Sequence, residues 1–396
     1  MLRELAVQEM KNELLEGSRG KSLEAYPQHR AGFSVGGVSV QLASTDEANV
    51  TLVPALEPFR AGTPAPDIKI QVEWAESLRP QAKQEVFDSG SVWRLYEDEA
   101  GFQFDFSAPL LLGERPYKRL LVDRCFRRAT LQMSEECFAG TDYLAAPLEY
   151  PLDELLIMHR LTQEKAIELH SCGIVRPDGT GNLFVGHSGA GKSTTTRLWT
   201  ECEEVEVLSD DRIVVRRDEV RTDAEPTAGT PVETPLEATR RASEREVLRL
   251  RDCSASRTNH SAQDDRGKTE HSAQDDKAKQ QIPRSARNDK EFSRNDKGMR
   301  MYGTPWHGEA AYASPGSAPL ERIFILEHGR GNVLTRLSPS QAVAELFARS
   351  FVPFHRHEYV DSALEFLEEV VDAVPCYRFA FEPSQGAVER ILEFRD

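Results

Sequence analysis

Leu183-Phe-Val-Gly-His-Ser-Gly-Ala-Gly-Lys-Ser193 is the stretch that decides how this chain is read. Gly186–Ser193 fits the pattern G-x-x-x-x-G-K-[ST]. Glycines let a backbone fold its N–H groups around phosphate oxygens. The loop residues Gly186, His187, Ser188, Gly189, Ala190 and Gly191, with Lys192, Ser193 and Thr194 behind them, are therefore candidate phosphate contacts. Lys192 brings a point charge to the β- and γ-phosphates. The Ser193 hydroxyl suits a hard cation such as Mg²⁺. Asn182-Leu-Phe-Val reads as the strand entering the loop. A helix from Thr194 to about Glu201 leaves it, with its positive end toward the same anion. A chance glycine turn would lack this strand–loop–helix context.

The pattern continues on both sides. Upstream, Gly173-Ile-Val is a second short strand, joined to the first by Pro177-Asp-Gly-Thr-Gly. Before it, Leu152, Leu155, Leu156, Leu161, Ala166 and Leu169 recur at helical spacing, with Asp153 and Glu154 in the first turn. This predicts a helix over 152–169 with His170 at its end, where a histidine caps a helix C-terminus. Downstream, Val205-Glu-Val-Leu reads as a strand ending at Asp210 and Asp211. An acid at a strand end beside such a loop is where Mg²⁺ is held, and a second acid there can take a proton. The competing reading is a surface turn with Arg212 as salt partner. Further strands are expected at Ile213-Val-Val-Arg, Ile323-Phe-Ile-Leu and Cys376-Tyr-Arg-Phe-Ala-Phe. Helices are expected at Ser340–Ser350, Ser362–Val371 and Gln385–Phe394. Strands alternating with helices argue an α/β architecture. Thr304-Pro-Trp-His-Gly-Glu is a polar-aromatic cluster that could meet a substrate, while Trp306 could equally be a core anchor.

Residues 1–150 read differently. Phe33-Ser-Val-Gly-Gly-Val-Ser-Val-Gln-Leu, Ile68-Lys-Ile-Gln-Val-Glu-Trp, Ser91-Val-Trp-Arg-Leu-Tyr and Gly101-Phe-Gln-Phe-Asp-Phe alternate apolar and polar residues. This predicts a small antiparallel β domain with no catalytic constellation. A P-loop domain over 151–396 follows it. Residues 240–298 interrupt that domain with a charged segment in which His260-Ser-Ala-Gln-Asp-Asp recurs as His271-Ser-Ala-Gln-Asp-Asp. Such a composition buries too little apolar surface to offset its ordering entropy, so a disordered insertion is expected.

Composition narrows the function. Lys and Arg number 49 against 65 Asp and Glu, a formal net charge of −16 among 396 residues. That balance repels phosphate backbones and argues against nucleic acid as a partner. The six cysteines form no C-x-x-C pair, so they read as reduced thiols rather than a metal knuckle. No apolar run has the length of a membrane helix, and the N-terminus lacks a signal-peptide core. The expected location is the cytoplasm, with no membrane partner.

Leu169-His-Ser-Cys-Gly-Ile-Val, the loop, and Leu208-Ser-Asp-Asp-Arg-Ile-Val-Val together resemble the catalytic domain of the HPr kinase/phosphorylase family. That family shares its P-loop fold with the ATP-type phosphoenolpyruvate carboxykinases. With Tyr302-Gly-Thr-Pro-Trp-His-Gly-Glu and Val374-Pro-Cys-Tyr-Arg-Phe, the set is more similar to HPr-kinase-like serine kinases of peptide-modification gene clusters, including those acting on lasso precursor peptides. The likeness covers about 150–396 apart from the insertion. It implies that Gly186–Gly191 and Lys192 bind ATP phosphates and that Ser193 and Asp211 hold Mg²⁺. It further implies that Asp210 is the general base toward a serine hydroxyl and that His170 orients or polarises the site. Thr304–Glu309 replaces the glycine-rich substrate segment of true HPr kinases, and Thr194 stands where they have glutamate. Those departures tell against HPr itself as substrate and against reverse phosphorolysis. The family forms hexamers through a different N-terminal domain, which leaves a homo-oligomer open.

The leading expectation is thus an ATP- and Mg²⁺-dependent kinase acting on a hydroxyl of a protein or peptide. The alternatives are a nucleotide-gated scaffold without transfer, and a carboxykinase-like enzyme on a small acid.

Overall fold

The computed structural model describes residues 28–79, 83–108, 113–138, 146–217 and 298–395. Apart from Gly298, the charged insertion expected at 240–298 lies outside the described residues. The chain is mixed α/β, with strands outweighing helices, and the strands form two sheets.

The first sheet has eight strands: β1 (His29–Val35), β2 (Val38–Ser44), β3 (Ile68–Ala75), β4 (Gln84–Asp88), β5 (Trp93–Glu97), β6 (Gly101–Ala108), β7 (Gly113–Asp123) and β8 (Arg128–Ser134). Their spatial order is β1-β2-β3-β8-β7-β6-β5-β4. The alternating stretch at Phe33–Leu42 is a hairpin rather than one strand. Gly36 and Gly37 turn it with φ of +58° and +78°, values that L side chains rarely adopt. The antiparallel expectation needs correcting, because β3 runs parallel to both β2 and β8. Between β2 and β3 the chain crosses back over the sheet, burying Val50, Leu52, Leu56 and Phe59, so β3 starts at the same end as β2. Strand β7 hides from alternation because Lys118 and Arg119 are both buried, each held by an acid: Lys118 by Glu149 at 2.7 Å and Arg119 by Asp105 at 2.6 Å.

The second sheet contains β9 (Ala166–Val175), β10 (Gly181–Val185), β11 (Glu206–Ser209), β12 (Arg212–Arg217), β13 (Met299–Tyr302), β14 (Ser317–His328), β15 (Val333–Arg336), β16 (Ser350–Phe351) and β17 (Cys376–Phe381). Strands β9, β10, β14, β13 and β12 close a ring, since β10 pairs with both β9 and β14. Among the described residues, five helices of nine or more residues follow in this part of the chain: α1 (Leu152–Leu161), α2 (Lys192–Cys202), α3 (Pro339–Phe347), α4 (His357–Ala373) and α5 (Gln385–Glu393). Helix α3 starts on a capping box, with Ser338 and Gln341 bonding each other's backbone.

The helix expected over 152–169 stops at Leu161. Lys165, at φ +48°, turns the chain, and 166–175 is strand. The spacing misleads because β9 is buried on both faces from Ala166 to Leu169, so it shows no period of two. Cross-strand pairing decides its conformation.

All described residues belong to one compact unit. One core cluster joins Phe33, Val35 and Val40 of the first sheet to Leu156, Val214 and Trp306. The Gly36 carbonyl accepts from Arg216 at 2.9 Å, and a Cβ on Gly36 would lie 2.8 Å from Val214. The hairpin tip therefore rests on β12, the strand that follows the aspartate pair. Among the described residues no helix is long and apolar enough to cross a membrane.

Candidate functional site

The site forms where β9 changes neighbours. Along one edge, β16 pairs with Glu168 and Leu169, and β10 takes over at Ser171. The His170 backbone fills the gap between them: its N–H donates to the Arg349 carbonyl at 2.8 Å, and its carbonyl accepts from Gly186 N–H at 3.2 Å. Along the other edge, β11 and β12 run end to end and break at Asp210-Asp211, where Ser171 N–H donates to the Asp211 carbonyl at 2.9 Å. His170 is thus a mid-strand residue opposite Arg212, not a helix cap. The glycine-rich loop and the aspartate pair reach it from opposite edges.

The glycine-rich loop joins a strand to a helix. Strand β10 ends at Val185 and α2 begins at Lys192. Gly191 is the N-cap, at φ 103° and ψ 17°, and no side chain caps the helix there. The first amides of α2 are left for an outside acceptor. Two close approaches require glycine. A Cβ on Gly191 would lie 2.6 Å from Phe381 Cζ, and one on Gly186 would lie 2.7 Å from Ala190 Cβ. The imidazole of His328 meets the Gly189 carbonyl at 2.8 Å, and Thr196 Oγ1 donates to the Lys192 carbonyl at 3.1 Å. Ser193 is exposed, Thr194 is half-buried, and His187 and Ser188 face outward.

Lys192 lies back across the loop. It is only 7% exposed, and its Nζ donates to the Gly186 carbonyl at 3.1 Å. The same Nζ lies 3.6 Å from Asp211 Oδ1, and His170 Nε2 is 2.9 Å from that oxygen. Arg212 donates to the other oxygen, Oδ2. One carboxylate thus gathers a lysine, a histidine and an arginine. Burial raises the Asp211 pKa, but the His170 hydrogen bond and the charges of Arg212 and Lys192 outweigh it and hold the carboxyl below its ordinary value. Burial also pushes the Lys192 ammonium below its ordinary value, against the pull of Asp211.

Asp210, expected from its resemblance role to be the proton acceptor, stands apart from this group. It is 1% exposed. Its Oδ1 accepts from Gly308 N–H at 3.0 Å and Tyr312 N–H at 3.3 Å, and its Oδ2 accepts from Ala310 N–H at 2.9 Å. The Thr304–Glu309 cluster therefore does lie over the aspartate pair. Trp306 is a core residue there, with its indole N–H donating to Asp153 at 3.0 Å. His307 and Glu309 are exposed.

No local pattern links Arg212 to the acids behind it. That guanidinium also donates to Glu154, lies 3.5 Å from Glu168 Oε1 and stacks 4.5 Å above the Phe351 ring. Glu168 is 1% exposed, and among the described residues neither of its carboxyl oxygens accepts a hydrogen bond. Burial and then Glu154 push its carboxyl well above the ordinary value. Asp153, from the first turn of α1, is pushed up to about 6, chiefly by burial. Nothing local distinguishes these carboxylates from surface helix and strand acids; only the fold brings Glu154 and Glu168 to Arg212 and Asp153 to Trp306.

Oxygen donors that suit Mg²⁺ are at hand in Ser193 and the aspartates. Among the described residues no group of three or more His, Cys, Asp or Glu side chains is arranged to hold a metal by itself. The five described cysteines are all free thiols. No family model and no curated protein matches the chain.

Proposed function

We propose that the chain is a kinase of the HPr kinase/carboxykinase-like P-loop type, transferring the γ-phosphate of ATP to a hydroxyl, a serine of a protein or peptide. One observation carries this reading. The loop lysine and the strand-end acid, 19 positions apart, meet with Asp211 Oδ1 3.6 Å from Lys192 Nζ. A glycine turn occurring by chance would have no reason to lie beside such an acid.

Each part has a chemical task. The uncapped amides of α2 and the loop cradle phosphate oxygens, and Lys192 draws in their charge. Mg²⁺ is ordinarily held by one or two carboxylates together with phosphates and water. Ser193 and Asp211 fit that donor set, and the ion would supply charge neutralisation at the transferring group. His170 and Arg212 fix the Asp211 carboxylate in place. Catalysis of this kind rests on positioning and electrostatics more than on covalent chemistry.

The test is incubation with γ-labelled ATP, Mg²⁺ and a pool of serine-bearing peptides. Labelled peptide supports the kinase. Bound nucleotide without labelled product indicates a nucleotide-gated scaffold. Absence of nucleotide binding, with the wild-type chain folded, overturns the proposal.

A further inference from the structure

The two adjacent acids differ more in surroundings than in sequence. Asp211 faces the cations. Asp210 faces the backbone of an irregular segment between β13 and β14. A carboxylate has about four lone-pair sites, and three of those on Asp210 are taken by amides of alternate residues, Gly308, Ala310 and Tyr312. Amides bonded to an ionised acceptor make strong hydrogen bonds.

The ends of the segment have anchors of their own. Thr304 Oγ1 donates to the Arg212 carbonyl at 2.8 Å, and Ser314 N–H to the Leu208 carbonyl at 2.8 Å. In the middle, the amides of Gly308, Ala310 and Tyr312 all turn to Asp210. Gly308 lies so close that a Cβ there would be 3.0 Å from Asp210 Oδ2 and 3.3 Å from Asp211 Cβ. The exposed side chains of His307 and Glu309 flank this contact.

We propose that Asp210 is a positioning residue: its carboxylate latches the Gly308–Tyr312 backbone over the transfer site and takes no part in proton transfer. The term "transfer site" rests on the function proposed above; the latch itself does not. By this assignment Asp211 is the member of the pair presented to phosphate, metal and acceptor. Asp210 sets how far His307 and Glu309 stand from it.

The experiment is amide hydrogen exchange on the full chain for wild type, Asp210→Ala and Asp210→Asn. Alanine is expected to speed exchange of peptides covering 306–313 by about 10- to 100-fold, as loss of charge-assisted bonds implies, while 181–185 is unchanged. Asparagine keeps an oxygen that can accept from two of the three amides, so its exchange falls between. Should the alanine variant not fold, the asparagine variant carries the comparison. Equal exchange in wild type and both variants overturns the latch. ATP turnover provides the second readout. A latch lets asparagine retain a measurable fraction of wild-type turnover, whereas a proton acceptor leaves asparagine and alanine equally dead; that second result, too, overturns the proposal. If the wild-type chain binds no ATP, the kinase reading falls, and hydrogen exchange alone still decides whether Asp210 latches the segment.

Discussion

The Nζ atom of Lys192 lies 2.7 Å from the Nε2 atom of His170. An imidazole nitrogen can accept from an ammonium only when it carries no proton, and the same atom is the one near Asp211. The histidine can therefore serve the lysine or the aspartate, but not both at once. A triphosphate that draws Lys192 toward it would release Nε2 to Asp211. Lys192→Ala is expected to weaken ATP binding by about 10- to 100-fold, the size of one or two charge-assisted hydrogen bonds. His170→Ala is expected to weaken it only a few-fold and to act mainly on turnover. Titration with a fluorescent ATP analogue separates the two. Equal losses of affinity would place His170 among the phosphate contacts instead.

Gly191 is needed twice over. Its φ of 103° is left-handed, and its missing Cβ makes room for Phe381. Gly191→Ala should cost about 1–2 kcal/mol in the backbone alone, with a further loss from displacing a buried ring. Urea unfolding measures the total. Adding Phe381→Leu should recover the packing part and leave the backbone part. Full recovery in the double variant would show that the ring contact was the whole effect.

Legibility in the sequence followed locality. The β10–loop–α2 unit could be read because strand, glycines and lysine are contiguous, and each residue's task is set by its neighbours in the chain. Strand β9 could not be read as one element. Ala166 and Leu169 satisfy a helical spacing as well as a buried strand, and the distinction comes from β12, which pairs with β9 across 44 positions at Ile213↔Leu169 and 50 at Arg216↔Ala166. Taken as the end of a helix, His170 passes for a cap. The same holds for Glu154 and Glu168. Their meaning comes from Arg212, which no local pattern connects to them. Asp210 and Asp211 stand out as a pair in the sequence, but only the path of residues 303–314 gives them different surroundings.

Arg212 is the partner that three buried or half-buried acids share. It donates to Glu154 and Asp211, and Glu168 Oε1 is 3.5 Å away. Removing one side of a buried ion pair leaves uncompensated charge and typically costs about 3–5 kcal/mol. Arg212→Ala is expected to fall in that range by urea unfolding. Arg212→Lys keeps the charge but loses the planar fork and the stacking on Phe351 at 4.5 Å, so it should recover only part of the loss. A loss below about 1 kcal/mol for alanine would mean that the acids are already neutral or that water reaches them.

Asp153 and Glu168 each contribute stability that falls as pH rises. Burial raises the Asp153 carboxyl from 3.8 to about 6, so the folded chain holds this proton more tightly than the unfolded chain does. The contribution is fully present below about 3.8 and is lost as pH climbs through about 6. Two pKa units set its ceiling at roughly 3 kcal/mol. Glu168, pushed well above its ordinary value by burial and by Glu154, has the same sign and extends the decline to higher pH. Asp211 has the opposite sign. Its carboxyl is held below the ordinary value, so its contribution is present above that value and is lost only in stronger acid. Two histidines act with the opposite sign: burial lowers His159 from 6.5 to about 3 and His355 from 6.5 to about 4, so their contributions are present above 6.5 and are lost as pH falls toward the folded values. Comparison with variants isolates the carboxyls. In urea midpoints measured from about pH 4 to about pH 8, the difference between wild type and Asp153→Asn should fall as pH rises through about 6, even though asparagine cannot accept from both Trp306 and the Glu154 amide as the carboxylate does. The difference between wild type and Glu168→Gln should fall at higher pH. Variant profiles parallel to the wild type's would show that these two carboxyls are ionised where the fold buries them.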